Sequence, residues 1–176
     1  MRTIILETPR LILRELTIED APSLAQVLSN EEAMRFYPHA FSLKEVENWI
    51  HWNLTNYVQD GFGLWAVLSK EDGTFLGDCG ITMQDIEGSR HPELGYHILP
   101  SFQGLGYATE AAKACMEYAF DELGFSRLYT YAKRENAPSL RVAEKNGMQF
   151  IRNFEKHIMG ELVIESLYGI GEGITC

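Results

Sequence analysis

The chain has 176 residues, 45% of them hydrophobic and 23% charged, which is the size and balance of one soluble globular domain with a substantial core, spanning residues 1–176. Its net charge of −10 argues against a nucleic-acid partner, because non-specific binding of that kind runs on basic surface. No apolar run approaches the roughly 18 residues that cross a bilayer, so no membrane partner is expected either.

Taken in chain order, Met1–Glu7 meets an acid too soon for a secretory leader. Arg10–Leu16 alternates apolar with polar residues and reads as a half-buried strand. Thr17-Ile18-Glu19-Asp20 has the form of a capping box before a short helix, Ala21–Leu28. An aromatic-rich connection, Met34–Phe41, leads to a second capping box, Ser42-Leu43-Lys44-Glu45. The helix it opens carries Val46, Trp49, Ile50, Leu54 and Tyr57 at three- and four-residue spacing, and Gly61 and Gly63 end it. Three strand-like runs follow: Leu64–Leu68, Phe75–Thr82 and Glu93–Leu99. Asp72-Gly73 makes the first turn between them, and the polar stretch Asp85–Pro92 reads as a loop. After a glycine-rich turn comes a helix with Ala108, Ala111, Ala112, Cys115, Ala119 and Leu123 on one face, small enough to lie close on a sheet, with Gly124 beyond its end. Leu128–Ala132 is a fifth strand. Pro138 begins another helix that Gly147 ends, and Gln149–Met159 with Leu162–Tyr168 form a closing antiparallel pair around Gly160. Strands that mostly precede the glycine turn imply a mixed, largely antiparallel sheet flanked by helices, an α+β architecture.

The stretch that carries most information is Gln103-Gly104-Leu105-Gly106-Tyr107-Ala108-Thr109. Glycines let a backbone approach a ligand without a Cβ in the way, and the helix behind offers unpaired N–H groups and the positive end of its dipole. That combination suits a phosphate or pyrophosphate. It is not the dinucleotide fingerprint, which requires glycine where Thr109 stands, nor the P-loop, which requires Gly-Lys-Ser/Thr. What remains is Gln-x-x-Gly-x-Ala, formed by Gln103, Gly106 and Ala108. This resembles the coenzyme A pyrophosphate loop of the GNAT N-acetyltransferases. Other segments resemble the same family in its order, from about Glu7 to Phe150: Glu7-Thr8-Pro9-Arg10-Leu11, Phe75-Leu76-Gly77 with Cys79-Gly80-Ile81, Glu93-Leu94-Gly95-Tyr96, and Asn136-Ala137-Pro138-Ser139 with Glu144-Lys145-Asn146-Gly147-Met148. Together they resemble the branch that contains the ribosomal-protein N-terminal acetyltransferases.

The resemblance implies the GNAT fold, with the fourth and fifth strands splayed apart (here Glu93–Leu99 and Leu128–Ala132), and acetyl-CoA as cofactor. It implies transfer of an acetyl group by direct attack of a primary amine, either a protein N-terminal α-amine or a small amine. The alternative is a sensor module that holds acyl-CoA without turnover. Cofactor contacts are expected from Ile98, Leu99, the Gln103–Thr109 turn, Asn136 and Ser139, with an oxyanion donor on the backbone near Tyr96–Ile98. Many family members protonate the departing thiolate with a tyrosine seven residues after the asparagine. Ala143 stands there, and Ser139 is the replacement.

For the base, Glu93 comes first, then His97 and Tyr96, and Glu155 in a late strand is a further carboxylate. Alternation along a strand puts Glu93 and His97 on one face and forbids Tyr96 and His97 from lining the cleft together. Phe36, Tyr37 and Phe41 are candidate acceptor walls, whereas Trp49 reads as helix packing. Lys133, Arg134, Arg141 and Lys145 form a basic group that either meets the 3′-phosphate or is a solvated face. Cys79, Cys115 and Cys176 lack metal or disulfide spacing, and Cys115 falls on the apolar stripe. No metal is expected from His39, His51, His91 or His157. A cytoplasmic monomer or homodimer fits these features.

Overall fold

The alternating runs pair into one eight-stranded sheet in the computed structural model, which describes residues 3–174. In chain order the elements are β1 (Ile4–Glu7), β2 (Leu11–Glu15), α1 (Ala21–Leu28), α2 (Leu43–Gln59), β3 (Leu64–Ser69), β4 (Phe75–Ile86) and β5 (Ser89–Ile98). Then come α3 (Tyr107–Asp121), β6 (Arg127–Ala132), α4 (Ala137–Lys145), β7 (Gln149–Ile158) and β8 (Glu161–Gly171). The strand order is β1-β2-β3-β4-β5-β6-β8-β7. Every neighbouring pair is antiparallel except β5 with β6.

Side-chain alternation sorts the core onto two faces. Adjacent residues of β3 show it: Ala66 joins Leu24, Val27, Val46 and Ile50 beneath α1 and α2, while Val67 joins Leu11, Leu13, Ala111, Cys115 and Leu140 beneath α3 and α4. The small-residue face of α3 lies flat on the sheet, with Ala111, Ala112, Cys115 and Ala119 fully buried. The Sγ atoms of Cys79 and Cys115 meet there at 3.6 Å as free thiols, and Cys176 lies outside the described residues. The Ser42 capping box forms as the sequence implies: Glu45 N–H donates to Ser42 Oγ, and Ser42 N–H donates to Glu45 Oε2 at 2.7 Å.

Two expectations need correction. A short strand, Ile4–Glu7, precedes the one expected to be first. It is a four-residue edge strand, Ile-Ile-Leu-Glu, too short to show the apolar–polar alternation by which β2 is read. The stretch Asp85–Pro92 is also no loop. β4 and β5 continue through it as a hairpin closed by Glu87 (φ 53°) and Gly88 (φ 83°), with Ile86 opposite Ser89. Positive φ at both turn residues is the hairpin geometry that matches strand twist. The tip is polar because it stands beyond the core.

Where β4 pairs with the start of β3, with Gly80 opposite Leu64, backbones come very close. A Cβ on Gly80 would sit 2.1 Å from the Gly63 carbonyl oxygen. We expect Gly80→Ala to destabilise the protein by about 2 kcal/mol or more, as overpacking of a rigid backbone contact does. Thermal unfolding checks this, and an unchanged Tm contradicts it.

Candidate active site

The site exists because β5 and β6 barely pair. They share one bridge, Glu93 opposite Tyr129, and the Thr130 hydroxyl donates to the Leu94 carbonyl at 2.8 Å. Beyond that point β5 runs on to Ile98 with no strand beside it on the β6 side, while β4 stays paired on the other. Leu99 N–H bonds back to Leu76 O of β4 at 2.9 Å, so alternation turns the N–H groups of Tyr96 and Ile98 toward the gap. A cavity of about 510 Å³ occupies the gap and is lined from both faces of the sheet.

On the face covered by α3 and α4, the lining includes Gln103, Gly104, Gly106, Tyr107, Ala108 and Thr109. Gly106 is the N-cap of α3, at φ 83° with no side-chain cap. The first helical bond is Glu110 N–H to Gly106 O at 3.0 Å. The N–H groups of Tyr107, Ala108 and Thr109 therefore precede the helical ladder and face outward from its positive end. A Cβ on Gly104 would meet open space, whereas one on Gly106 would lie 3.3 Å from Arg10 Nη2. Arg10 fixes the turn from behind: Nη1 donates to Leu105 O at 3.0 Å, Nε donates to Glu110 Oε2 at 2.6 Å, and the guanidinium lies 4.5 Å over the Tyr107 ring. Gln103 is also held, with Nε2 donating to Ile98 O at 3.0 Å. Across the gap stand Lys133, Asn136, Ser139, Arg141 and Lys145. An uncapped helix end with close backbone approach, facing Arg141 and Lys145 across the gap, fits a pyrophosphate group carrying further phosphate.

The opposite face is aromatic and carries two buried carboxyls, with Lys133 and Lys156 near them. Phe36, Tyr37, Phe41, Trp49, Trp52 and Tyr131 line it, with Glu93 and Glu165 at its floor. Glu93 is 8% exposed, and burial pushes its carboxyl up to about 7 against the opposing pull of His97. Glu165, on β8, is 3% exposed, its Oε2 has no hydrogen-bond partner, and burial pushes it up to about 7 as well. Asp78 is fully buried on β4 directly opposite His97 on β5. His97 Nδ1 lies 2.7 Å from Asp78 Oδ1, and His97 Nε2 lies 2.7 Å from the Tyr37 hydroxyl. Trp49 Nε1–H donates to Asp78 Oδ2 at 2.9 Å. Burial alone lowers the His97 pKa, but the Asp78 charge and hydrogen bond outweigh it and the net direction is up.

The structure gathers most of the expected residues into this one cavity: Phe36, Tyr37, Phe41, Glu93, Tyr96, His97, Ile98, Asn136 and Ser139 all line it. Leu99 and Leu105 fall outside the lining. Leu99 packs under α1 and α2, and the Leu105 side chain is exposed. Tyr96 and His97 do point to opposite faces, yet both line the cavity, because the cavity passes through the split sheet. The Tyr96 hydroxyl donates to Ser139 O at 2.6 Å on the cofactor side. Asn136 Oδ1 caps α4 by accepting from Ser139 N–H at 3.3 Å. The late carboxylate is Glu165, whereas Glu155 is exposed on β7. Trp49 does pack, but it also walls the cavity and fixes Asp78, a residue that the sequence reading passed over. An acid flanked by apolar residues and glycines in a central strand was its signal, since a buried charge needs a partner.

These features agree with the comparisons. A family model described as an acetyltransferase (GNAT) domain matches residues 10–149, and the chain belongs to that family. It is therefore an acetyltransferase, and its cofactor is acetyl-CoA. It is 36% identical over 152 residues to an uncharacterized Bacillus subtilis protein, YkkB, covering 86% of this chain and 88% of that one. It is 34% identical to Escherichia coli spermidine N(1)-acetyltransferase over 79 residues, covering 45% of this chain and 40% of that one. A solved GNAT-family acetyltransferase from Bacillus anthracis superposes with a TM-score of 0.78 at 28% identity, covering 98% of this chain and 99% of that one.

At Gly106 a β-branched side chain meets both positive φ and the Arg10 contact, a combined strain of about 1–3 kcal/mol or more. We expect Gly106→Val to weaken acetyl-CoA binding more than tenfold by calorimetric titration. Unchanged affinity contradicts the assignment of this turn as the pyrophosphate cradle.

Proposed function

We propose that this chain, acting as one domain over residues 1–176, acetylates the primary amine of a small cationic acceptor. The observation that carries this reading is Glu93, a buried carboxyl at the edge of the split, with the glycine turn on one face of the sheet and an aromatic pocket that also holds Glu165 on the other. Glu93 and Glu165 supply the charge that draws an ammonium in, and the rings of Phe36, Tyr37 and Trp52 favour a cation over their faces. The E. coli relative, named for acetylation of spermidine, supports a small amine over a protein N-terminus.

Acetyl-CoA supplies the acetyl group and a thiolate leaving group. The Gln103–Thr109 turn would hold its pyrophosphate, and Arg141 and Lys145 would meet the remaining phosphate charge. N–H groups of Tyr96 and Ile98 on the free edge of β5 offer donors for the pantetheine arm and the developing oxyanion. Glu93 takes a proton from the acceptor ammonium. Ser139 holds a hydroxyl proton at Oγ on the cofactor side, where the leaving group needs one.

Glu93 works as a base only when ionised. Its native pKa of about 7 therefore places the rise of kcat/KM with pH near 7, with activity lost as pH falls below it. We expect Glu93→Gln to lower kcat/KM by about 100-fold and to remove this limb, measured as amine-dependent thiol release between pH 5.5 and 9. A variant that keeps both rate and limb rules Glu93 out as base. Separately, Ser139→Ala is expected to lower kcat about tenfold or more while the calorimetric affinity for acetyl-CoA stays within twofold. Unchanged turnover removes Ser139 from the acid role.

A further inference from the structure

An ammonium that ends as an amide gives up two protons, and Glu93 can hold one of them. On the reading of this cavity as the acceptor site, we propose that Tyr37, His97 and Asp78 form a proton relay that takes the other. Three contacts join them in a line from the cavity into the sheet: Tyr37 Oη to His97 Nε2 at 2.7 Å, His97 Nδ1 to Asp78 Oδ1 at 2.7 Å, and Trp49 Nε1 to Asp78 Oδ2 at 2.9 Å.

The direction of the chain follows from what each group is able to do. An indole N–H only donates, so Asp78 Oδ2 accepts. Asp78 lies fully buried and directly opposite His97 in the β4–β5 register, and its ionised form accepts at both oxygens. The Nδ1 of His97 therefore carries a proton. In neutral His97 the other nitrogen, Nε2, is bare and accepts from the Tyr37 hydroxyl. Tyr37 is left with an oxygen lone pair, and Tyr37 lines the cavity. No other orientation satisfies all three contacts with a neutral ring and an ionised Asp78.

The step is a concerted double transfer. A proton leaves the acceptor nitrogen for Tyr37 Oη while the Tyr37 proton moves to His97 Nε2. The electron pair stays on nitrogen, and the new imidazolium is balanced by Asp78. Burial, then Glu93 and Asp78, push ionisation of Tyr37 well above the ordinary phenol range, so Tyr37 passes protons without standing as a phenolate. After product leaves, the His97 proton returns through Tyr37 to water, Glu93 releases its own and Ser139 regains one, so that one proton is released per turnover. Tyr37 touches the acceptor. Asp78 and Trp49 are positioning residues that act through His97.

The charged and titratable groups around His97 are consistent with this. Asp78 faces it from β4, Glu93 from β5 itself and Tyr37 from the α1–α2 connection. Glu165 on β8 acts on the far end, through Tyr37. Helix α2 contributes the indole of Trp49, edge-on to the imidazole at 5.9 Å. Asp78 and Glu93 both favour the protonated ring, which lets His97 hold what it receives.

The test uses the whole chain and two variants. Tyr37→Phe keeps the ring and removes only Oη. We expect kcat at saturating amine to fall 10–100-fold with the amine KM changed less than about threefold, and the pH profile to retain the Glu93 limb alone. Asp78→Asn is read without any ligand, by proton NMR titration of the five histidines with His97 identified through His97→Gln. The His97 pKa is expected to fall by a unit or more, because the negative partner is gone. A Tyr37→Phe enzyme with kcat within twofold of wild type overturns the relay, while loss of activity in Glu93→Gln alongside it leaves the acetyltransferase reading standing. An unshifted His97 in Asp78→Asn overturns the relay as well. A wild-type protein that turns over no amine overturns both.

Discussion

Everything functional in this molecule depends on one incomplete pairing. Two parallel strands, β5 and β6, meet at a single bridge and then part. A parallel pair needs a crossover connection, and here that crossover is α3, which begins just past the end of β5. The same geometry therefore leaves a strand edge without a partner and aims a helix N-terminus beside it. Open strand edges are a liability in most proteins. Here the unpaired edge of β5 borders the cleft, where a bound ligand would be able to make the hydrogen bonds that a neighbouring strand otherwise makes.

The split also divides the chemistry. A sheet has two faces, and a channel through it touches both. The face beneath α3 and α4 carries the glycine turn, Ser139 and the cations Arg141 and Lys145. The face beneath α1 and α2 carries carboxylates and aromatic rings. On the proposed reading, an anionic cofactor and a cationic acceptor would enter from opposite ends of the same opening, with their reacting groups meeting where the strands part. The strong negative net charge of the chain is in keeping with this arrangement, although much of it lies on the outer surface. Low dielectric at the floor raises Glu93 and Glu165 to the range where a carboxyl exchanges protons at neutral pH.

Much of this was legible in sequence, for local reasons. The Gln103–Thr109 turn, the Ser42 capping box and the alanine face of α3 are encoded in contiguous residues, and they appear where their spacing puts them. What escaped was non-local. Asp78 sits in a run that reads only as a strand, and its meaning appears through the β4–β5 register that sets it opposite His97. Trp49 has the spacing of a packing residue and the indole of a hydrogen-bond donor, and sequence shows only the first. Glu155 and Glu165 belong to the same closing hairpin, and pairing decides which one is buried. Strand alternation correctly separated Tyr96 from His97, but a cleft that pierces the sheet makes that separation compatible with a shared site.

The most direct test of the central claim is amine-dependent thiol release from acetyl-CoA by the purified protein, across a panel of small mono- and polyamines beside N-terminal peptides, as a function of pH. The account expects turnover of small cationic amines that rises through about pH 7. Tight acetyl-CoA binding with no thiol release for any amine at any pH would contradict it.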